Sequence, residues 1–74
     1  MSQPLINISQ DVLSGTPVFY GTRVPVRNLL DYLETGETIE TFLEDFPSVS
    51  RGQIMRFLDT AGDLMIAQAN ENID

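Results

Sequence analysis

The arginines are the residues of this chain with the clearest potential for binding chemistry. All four positive charges are arginines, and Arg51 and Arg56 stand close together with Gly52 and Gln53 near them. Guanidinium and amide groups hold phosphates and read base edges, and Thr60 adds a hydroxyl on the same helical face. The glycine would let a backbone approach closely. We therefore predict DNA contacts for Arg51, Gly52, Gln53, Arg56 and Thr60.

Two carboxylates limit that surface. At helical spacing Asp59 and Asp63 share the face of Arg56, and they would repel a phosphate backbone. Only the N-terminal half of the helix is then expected to face DNA, where the helix dipole favours anions. In an alternative interpretation Arg56 pairs with Asp59 at i+3, and Arg51 covers apolar surface.

A second charged region has the opposite sign. Six carboxylates and no positive charge lie between residues 31 and 45, namely Asp31, Glu34, Glu37, Glu40, Glu44 and Asp45. Such a stretch avoids phosphate and suits a basic protein partner, for which Glu40 and Glu44 are the predicted contacts. The alternative is a solvated face with no partner.

Composition excludes several function classes. The 74 residues include no cysteine and no histidine, so zinc-type metal sites, thiolate nucleophiles and imidazole bases are absent. We expect no enzyme, no cofactor, no metal and no small-molecule substrate. The net charge of -7 argues against strong DNA binding by a single copy. No cationic start or long apolar run opens the sequence, which predicts a cytoplasmic protein without membrane contact.

Three amphipathic helices are predicted to position these residues. Apolar side chains recur three times at i, i+3, i+4 and i+7, the spacing of one helical stripe. The three sets are Val26, Leu29, Leu30 and Leu33; Ile39, Phe42, Leu43 and Phe46; and Ile54, Phe57, Leu58 and Ala61.

Capping residues predict where these helices begin and end. Pro25 suits a helix start, Gly36 suits a left-handed end, Thr38 is a cap, and Pro47 stops the second helix. The start of the third helix has the most sequence signals. Ser50 and Gln53 form a capping box, and Val49 and Ile54 occupy the two positions of a hydrophobic staple.

The first 25 residues predict a short β arm. Residues 6–8 alternate in polarity, residues 18–20 are β-branched and aromatic, and turn residues separate the two. Gly21 and Thr22 allow a second turn, and Pro25 keeps the residue before it extended. This places Arg23 in a defined direction, where its guanidinium either ties the arm to the helices or contacts DNA or a ligand.

The C-terminal part of the third helix predicts a partner surface. We expect the helix to continue past Gly62 to about Ala69 and residues 70–74 to fray. Leu64, Met65 and Ile66 cannot all face one core, so at least one is expected to meet another chain. A thin core and the free edge of the arm also favour a homodimer.

These elements predict one mainly α domain over residues 1–74. It consists of the arm at residues 1–25, a trihelical unit at residues 26–69 and the short tail. Because a connection of three to four residues joins the second and third helices, the unit fits a helix-turn-helix arrangement.

Several segments of the sequence resemble a known protein family. They are Gly-Thr-Pro-Val-Phe-Tyr-Gly-Thr-Arg-Val-Pro-Val at residues 15–26, Leu-Leu-Asp-Tyr-Leu-Glu-Thr-Gly at residues 29–36, and Glu-Asp-Phe-Pro at residues 44–47. With residues 6–8 and 54–58 they are similar to domain-of-unknown-function family 433, which looks homeodomain-like and related to VapB-type antitoxins. The resemblance covers about residues 5–66.

The resemblance implies a function and a set of architectural residues. It implies a dimeric helix-turn-helix antitoxin that binds operator DNA in its own promoter and neutralises a PIN-like ribonuclease. The positions that match the family's fixed residues are Gly21, Thr22, Arg23, Pro25, Gly36 and Pro47. The alternative to this function is an acidic protein-interaction module, or a dimer that does not bind DNA.

Overall fold

Two short strands precede three α-helices in the computed structural model, which describes residues 4–71. The strands are β1 (Ile6–Asn7) and β2 (Val18–Phe19), with a single 3-10 turn at Leu13–Gly15 between them. The helices are α1 (Val26–Glu34), α2 (Ile39–Asp45) and α3 (Arg51–Glu71). The predicted fold, a β arm followed by a three-helix unit, is confirmed.

The β arm is attached firmly to the helices. Its strands pair antiparallel, with Ile6 opposite Phe19 and Asn7 opposite Val18. Both Val18 and Phe19 are fully buried, and the Phe19 ring lies edge-on to Phe42 of α2 at 6.4 Å and to Phe57 of α3 at 6.2 Å. Because an aromatic ring buries a large area, β2 is part of the core.

The core lies where α1, α2 and the start of α3 meet this strand. Its buried members are Phe19, Val24, Val26, Leu29, Phe42, Val49 and Ile54. The last six fall on the predicted helical stripes, at the staple or in the extended segment before Pro25. Periodic apolar spacing thus identified four of these seven residues, and the staple identified a fifth, Val49.

The predicted capping residues act as expected. Pro25 precedes α1, and Gly36 follows it at a φ of +89°, a conformation that favours glycine. The Thr38 side chain accepts a hydrogen bond of 3.1 Å from the Thr41 backbone N–H at the start of α2. α2 ends at Asp45, just before Phe46 and Pro47.

α3 is longer than predicted. It passes through Gly62 without a break and continues to Glu71, two residues beyond the expected end at Ala69. Of the predicted frayed tail, Asn70 and Glu71 are therefore helical, and residues 72–74 lie outside the described part of the chain. Within residues 4–71, no helix has the length and apolar character needed to cross a membrane.

Candidate nucleic-acid interface

The start of α3 is fixed by the predicted capping box. The Gln53 backbone N–H donates to Ser50 Oγ at 3.0 Å, and the Ser50 backbone N–H donates to Gln53 Oε1 at 2.9 Å. Val49 and Ile54, the two staple residues, are 3% and 0% exposed. These contacts set both the first residue of the helix and its direction.

Gln53 has an additional role that the sequence did not indicate. Its Nε2 donates to the Tyr20 carbonyl oxygen at 2.9 Å, which brings the turn after β2 beside the start of α3. The amide oxygen and one amide N–H of Gln53 are thus both engaged within the chain. Its predicted DNA contact stays a prediction. The two partners are 33 residues apart, and no local pattern links them.

Arg51 joins α3 to α2. Its Nη2 lies 3.0 Å from Glu40 Oε2, and both side chains are more than half exposed. The pKa of the Glu40 carboxyl is lowered by the backbone N–H of Glu40 and by the Arg51 guanidinium. Arg51 had been expected to bind DNA or to cover apolar surface. The structure pairs it with a residue predicted to hold a partner.

The rest of the predicted DNA-contacting set lies on the surface of α3. Gly52, Arg56 and Thr60 are exposed, and Gln53 is half-buried. Asp59 and Asp63 are exposed as well, as helical spacing predicted. The N-terminal half of α3 therefore presents arginines near the positive end of the helix dipole, and its carboxylates follow further along.

Arg23 does not make the expected tie between the arm and the helices. Its side chain is exposed, and it has no hydrogen bond or ion pair within the described chain. Thr22 holds this turn instead. Its Oγ1 donates to the Phe19 carbonyl at 2.8 Å and accepts from the Val24 backbone N–H at 3.0 Å. A short hydroxyl reaches nearby backbone groups, whereas a long guanidinium extends into water.

The acidic region is only partly neutralised. Arg27 Nε lies 3.2 Å from Asp31 Oδ1, and Arg27 Nη2 lies 3.5 Å from Glu34 Oε1. The Tyr32 hydroxyl donates to Asp45 Oδ2 at 2.6 Å, and this bond raises the pKa of Tyr32. Glu37 and Glu44 are exposed. Among residues 4–71 no group of three or more carboxylates is arranged to hold a metal ion.

The predicted partner residues at the end of α3 are all exposed. Leu64, Met65 and Ile66 have exposed fractions of 59%, 64% and 62%. Every residue from Gly62 to Asn70 is exposed too. The expectation that these side chains leave the core is therefore confirmed, and their contact with another chain stays a prediction.

Comparisons with known proteins identify a family. Residues 6–59 match the family described as "Protein of unknown function (DUF433)". The chain is also 38% identical over 53 residues to a protein of Sinorhizobium fredii named "Uncharacterized protein y4eO". That match covers 72% of this chain and 24% of the relative, so the chain spans about a quarter of the relative's length. No solved structure matches the chain.

Proposed function

We propose that this chain, which belongs to the DUF433 family, is a DNA-binding antitoxin that represses its own promoter and neutralises a PIN-like ribonuclease. The observation that carries the proposal is the exposed N-terminal half of α3. Arg51, Gly52 and Arg56 are exposed there, on a helix whose start is fixed by a capping box and a buried staple. A rigid helix start with exposed arginines is the arrangement by which helix-turn-helix proteins contact DNA.

Nearby groups support this assignment. The Gln53–Tyr20 hydrogen bond holds the turn that carries Arg23 beside the same helix start. Arg23, three residues after Tyr20 and exposed, is the third arginine of the proposed DNA contact. Each phosphate that an arginine neutralises contributes about 0.9 to the slope of log affinity against log salt. The arginines can act locally even though the whole chain carries a net charge of -7.

The ion pair between Arg51 and Glu40 supplies a specific expectation. A phosphate that binds Arg51 must replace the Glu40 carboxylate, which lies 3.0 Å away. Removing that carboxylate's charge frees the guanidinium and removes a repulsive charge beside the DNA. Glu40→Gln is therefore expected to tighten DNA binding. Glu44→Gln is the matched control, because it removes an equal charge from α2 at a residue that has no ion pair with Arg51.

The direct test is titration of a labelled duplex from the region upstream of the protein's own gene. We expect fluorescence anisotropy to rise at low salt for the wild-type chain and to stay flat for the double variant Arg51→Ala, Arg56→Ala. Arg27→Ala is the control for the two single variants Arg51→Ala and Arg56→Ala, since it removes one positive charge from α1, where Arg27 pairs with Asp31 and Glu34. Equal loss in the control would show that the contact does not lie on α3.

A second candidate function is an acidic module that holds a basic protein. Exposed Glu40 and Glu44 on α2 favour it, because they present two carboxylates on a short helix. This candidate predicts the opposite response to Glu40→Gln, since loss of the carboxylate would weaken the complex. It also predicts no anisotropy change with the duplex at any salt concentration.

The antitoxin role has its own test. The support is the resemblance of residues 21–26 and 44–47 to antitoxin-related proteins, together with the exposed carboxylates of α2. Co-expression with the product of the adjacent reading frame, followed by light scattering, measures whether a complex forms and in what ratio. Inhibition of that product's ribonuclease activity is expected. A ribonuclease that stays active at excess of this chain would contradict the role.

A further inference from the structure

The distal half of α3, residues 62–71, has an apolar stripe that no other part of residues 4–71 covers. Successive residues of an α-helix are rotated by about 100° around its axis, so Met65 lies about 20° from the direction of Ile54. Leu64 lies about 80° from the direction of Ile54, on the other side from Met65. The stripe that Ile54 begins in the core therefore continues through Ala61 and Met65, with the polar Gln68 also within it, about 40° from the direction of Ile54. Ile66 borders it on the side away from Leu64, about 120° from Ile54. Burial stops at Ala61, and the distal residues are all exposed as far as Asn70.

Charge indicates what can cover this stripe. The chain carries eleven carboxylates, and two copies would repel each other across most surfaces. Residues 60–71 contain two charged residues: Asp63, about 180° from Ile54 on the opposite face, and Glu71, about 100° from Ile54. This stripe is thus a region where two copies can meet without opposing charges. A basic partner or a nucleic acid would gain no charge contact there.

We propose that a second copy of this chain docks on the distal half of α3, with the two helices antiparallel and Met65 at the twofold axis. In this register Met65 of one copy packs against Met65 of the second copy. Ala61 then lies opposite Ala69, and both are small enough for a close approach of the helices. Antiparallel packing also aligns the helix dipoles favourably.

The position of the core excludes the parallel arrangement. The proximal half of the same stripe, at Ile54, Phe57 and Leu58, is already covered by the chain's own core. In a parallel pair both cores would lie between the two helices at the same level and would keep them apart. In the antiparallel pair each core lies near the end of the other copy's helix, so the two cores are at different levels along the helix axis.

The pairing has a consequence for DNA, and this part rests on the proposed function. The midpoint of Arg51 and Arg56 is 11.5 residues from Met65, which is about 17 Å at 1.5 Å per residue. Two copies therefore place their arginine regions about 35 Å apart. Half-sites in successive major grooves are separated by about 34–36 Å. The distal helix would then act as the spacer that sets the register of two DNA contacts.

The proposed interface is small. About ten helical residues per copy contribute, against roughly 20–30 residues a side in a standard interface. We therefore expect a dissociation constant in the micromolar range, with monomer and dimer in equilibrium.

Cysteine cross-linking tests the register directly, because the chain contains no cysteine. Under mild oxidation Met65→Cys is expected to give a covalent dimer of twice the chain mass. Ala67→Cys is the matched control, about 160° away from Met65 on the same helix, and it should give no covalent dimer. Equal cross-linking of the two variants, or none in Met65→Cys, would overturn the proposed pairing.

Sedimentation equilibrium supplies a second readout that needs no oxidation. The wild-type chain should show a concentration-dependent rise in mass, Met65→Asp should remain a monomer, and Ala67→Asp should behave as wild type. Circular dichroism checks that all three are folded. A wild-type chain that stays monomeric throughout would contradict the pairing, as would a Met65→Asp variant that still dimerises.

The two proposals fail in distinguishable ways. A Met65→Cys dimer that forms but does not shift the duplex supports the pairing and contradicts the DNA-binding function. A wild-type chain that binds the duplex as a monomer, with no cross-link at residue 65, supports DNA binding and overturns the pairing.

Discussion

Both halves of α3 carry apolar side chains, but the spacing of these side chains and their surroundings differ. In the proximal half, residues 51–61, Ile54 is fully buried and Phe57 packs edge-on to Phe19. In the distal half Leu64, Met65 and Ile66 are each about 60% exposed. The difference shows that a periodic stripe predicts which face of a helix is apolar, and does not predict what covers that face.

Helix length explains the contrast. α3 has 21 residues, which at 1.5 Å per residue is about 32 Å. α1 and α2 have 9 and 7 residues and can cover only about 14 Å and 10 Å of helix. The distal half therefore extends beyond the elements that could bury it, in agreement with the longest molecular dimension of 43 Å.

The sharpest test of this comparison is the same side-chain truncation, isoleucine to alanine, made once in each half of α3. Ile54→Ala is expected to lower the free energy of unfolding by about 2–5 kcal/mol, because it leaves a cavity in the core. The same change at Ile66 should alter it by about 0.5 kcal/mol or less. Urea unfolding followed by circular dichroism at low protein concentration measures both. If Ile54→Ala is too unstable to fold, Ile54→Val should still show a loss of about 0.5–1.5 kcal/mol.

Removal of the helix cap tests the proximal half separately. Ser50→Ala removes the acceptor for the Gln53 backbone N–H and should lower the free energy of unfolding by about 1 kcal/mol. Thermal unfolding is a suitable measurement. Ser48→Ala, in the exposed turn before α3, is the control and should have little effect. Similar losses for the two variants would mean that the cap contributes nothing of its own.

Gly62, where the two halves join, offers a stabilising change. Its φ is not positive, and a Cβ added there would meet no atom within 4 Å. Gly62→Ala should therefore raise the free energy of unfolding by about 0.5–1 kcal/mol. Gly36→Ala should have the opposite sign, since Gly36 has a φ of +89°. A loss of stability in Gly62→Ala would indicate that the helix is bent or broken there in solution.

The smallest expected effect is a change in the titration of Glu40. Arg51→Ala should raise the pKa of Glu40 toward its ordinary value, because one of the two groups that lower it is removed. Carboxyl chemical shifts measured by NMR across acidic pH report the change. Since the pKa is lower in the folded chain, the interaction stabilises the fold above the ordinary pKa and is lost as the pH falls through the folded value.

Arg27→Ala is the control for that titration, because Arg27 pairs with Asp31 and Glu34. It should leave the pKa of Glu40 unchanged. An equal rise in both variants would show that the overall charge of the chain, and not the ion pair, sets the pKa.

The sequence predicted the contacts that depend on near neighbours. The capping box at Ser50, the cap at Thr38 and the left-handed Gly36 each follow from residues within a single helical turn. Of the two roles expected for Arg23, the tie between the arm and the helices is not formed, and Thr22 holds the turn through the Phe19 carbonyl and the Val24 backbone N–H. A contact of Arg23 with DNA or a ligand stays a prediction.

The sequence predicted the exposure of the arginines in the candidate site but not the contacts that the site residues make within the chain. The arginines of α3 are exposed as expected. The ion pair of Arg51 with Glu40 and the bond of Gln53 with Tyr20 were not predicted. These partners are 11 and 33 residues apart, and only the packing of α2 and the arm against α3 brings them together.

The amino-acid sequence by itself determined the three helices, their starts, the ends of α1 and α2, most of the core and the position of the charged regions. Hydrophobic spacing and capping act over a few residues, so they can be read locally. Only the tertiary structure decided that Phe19 of the arm enters the core, that Arg51 pairs with Glu40, and that the stripe of α3 loses its cover after Ala61. Those outcomes depend on the relative lengths and the packing of whole elements.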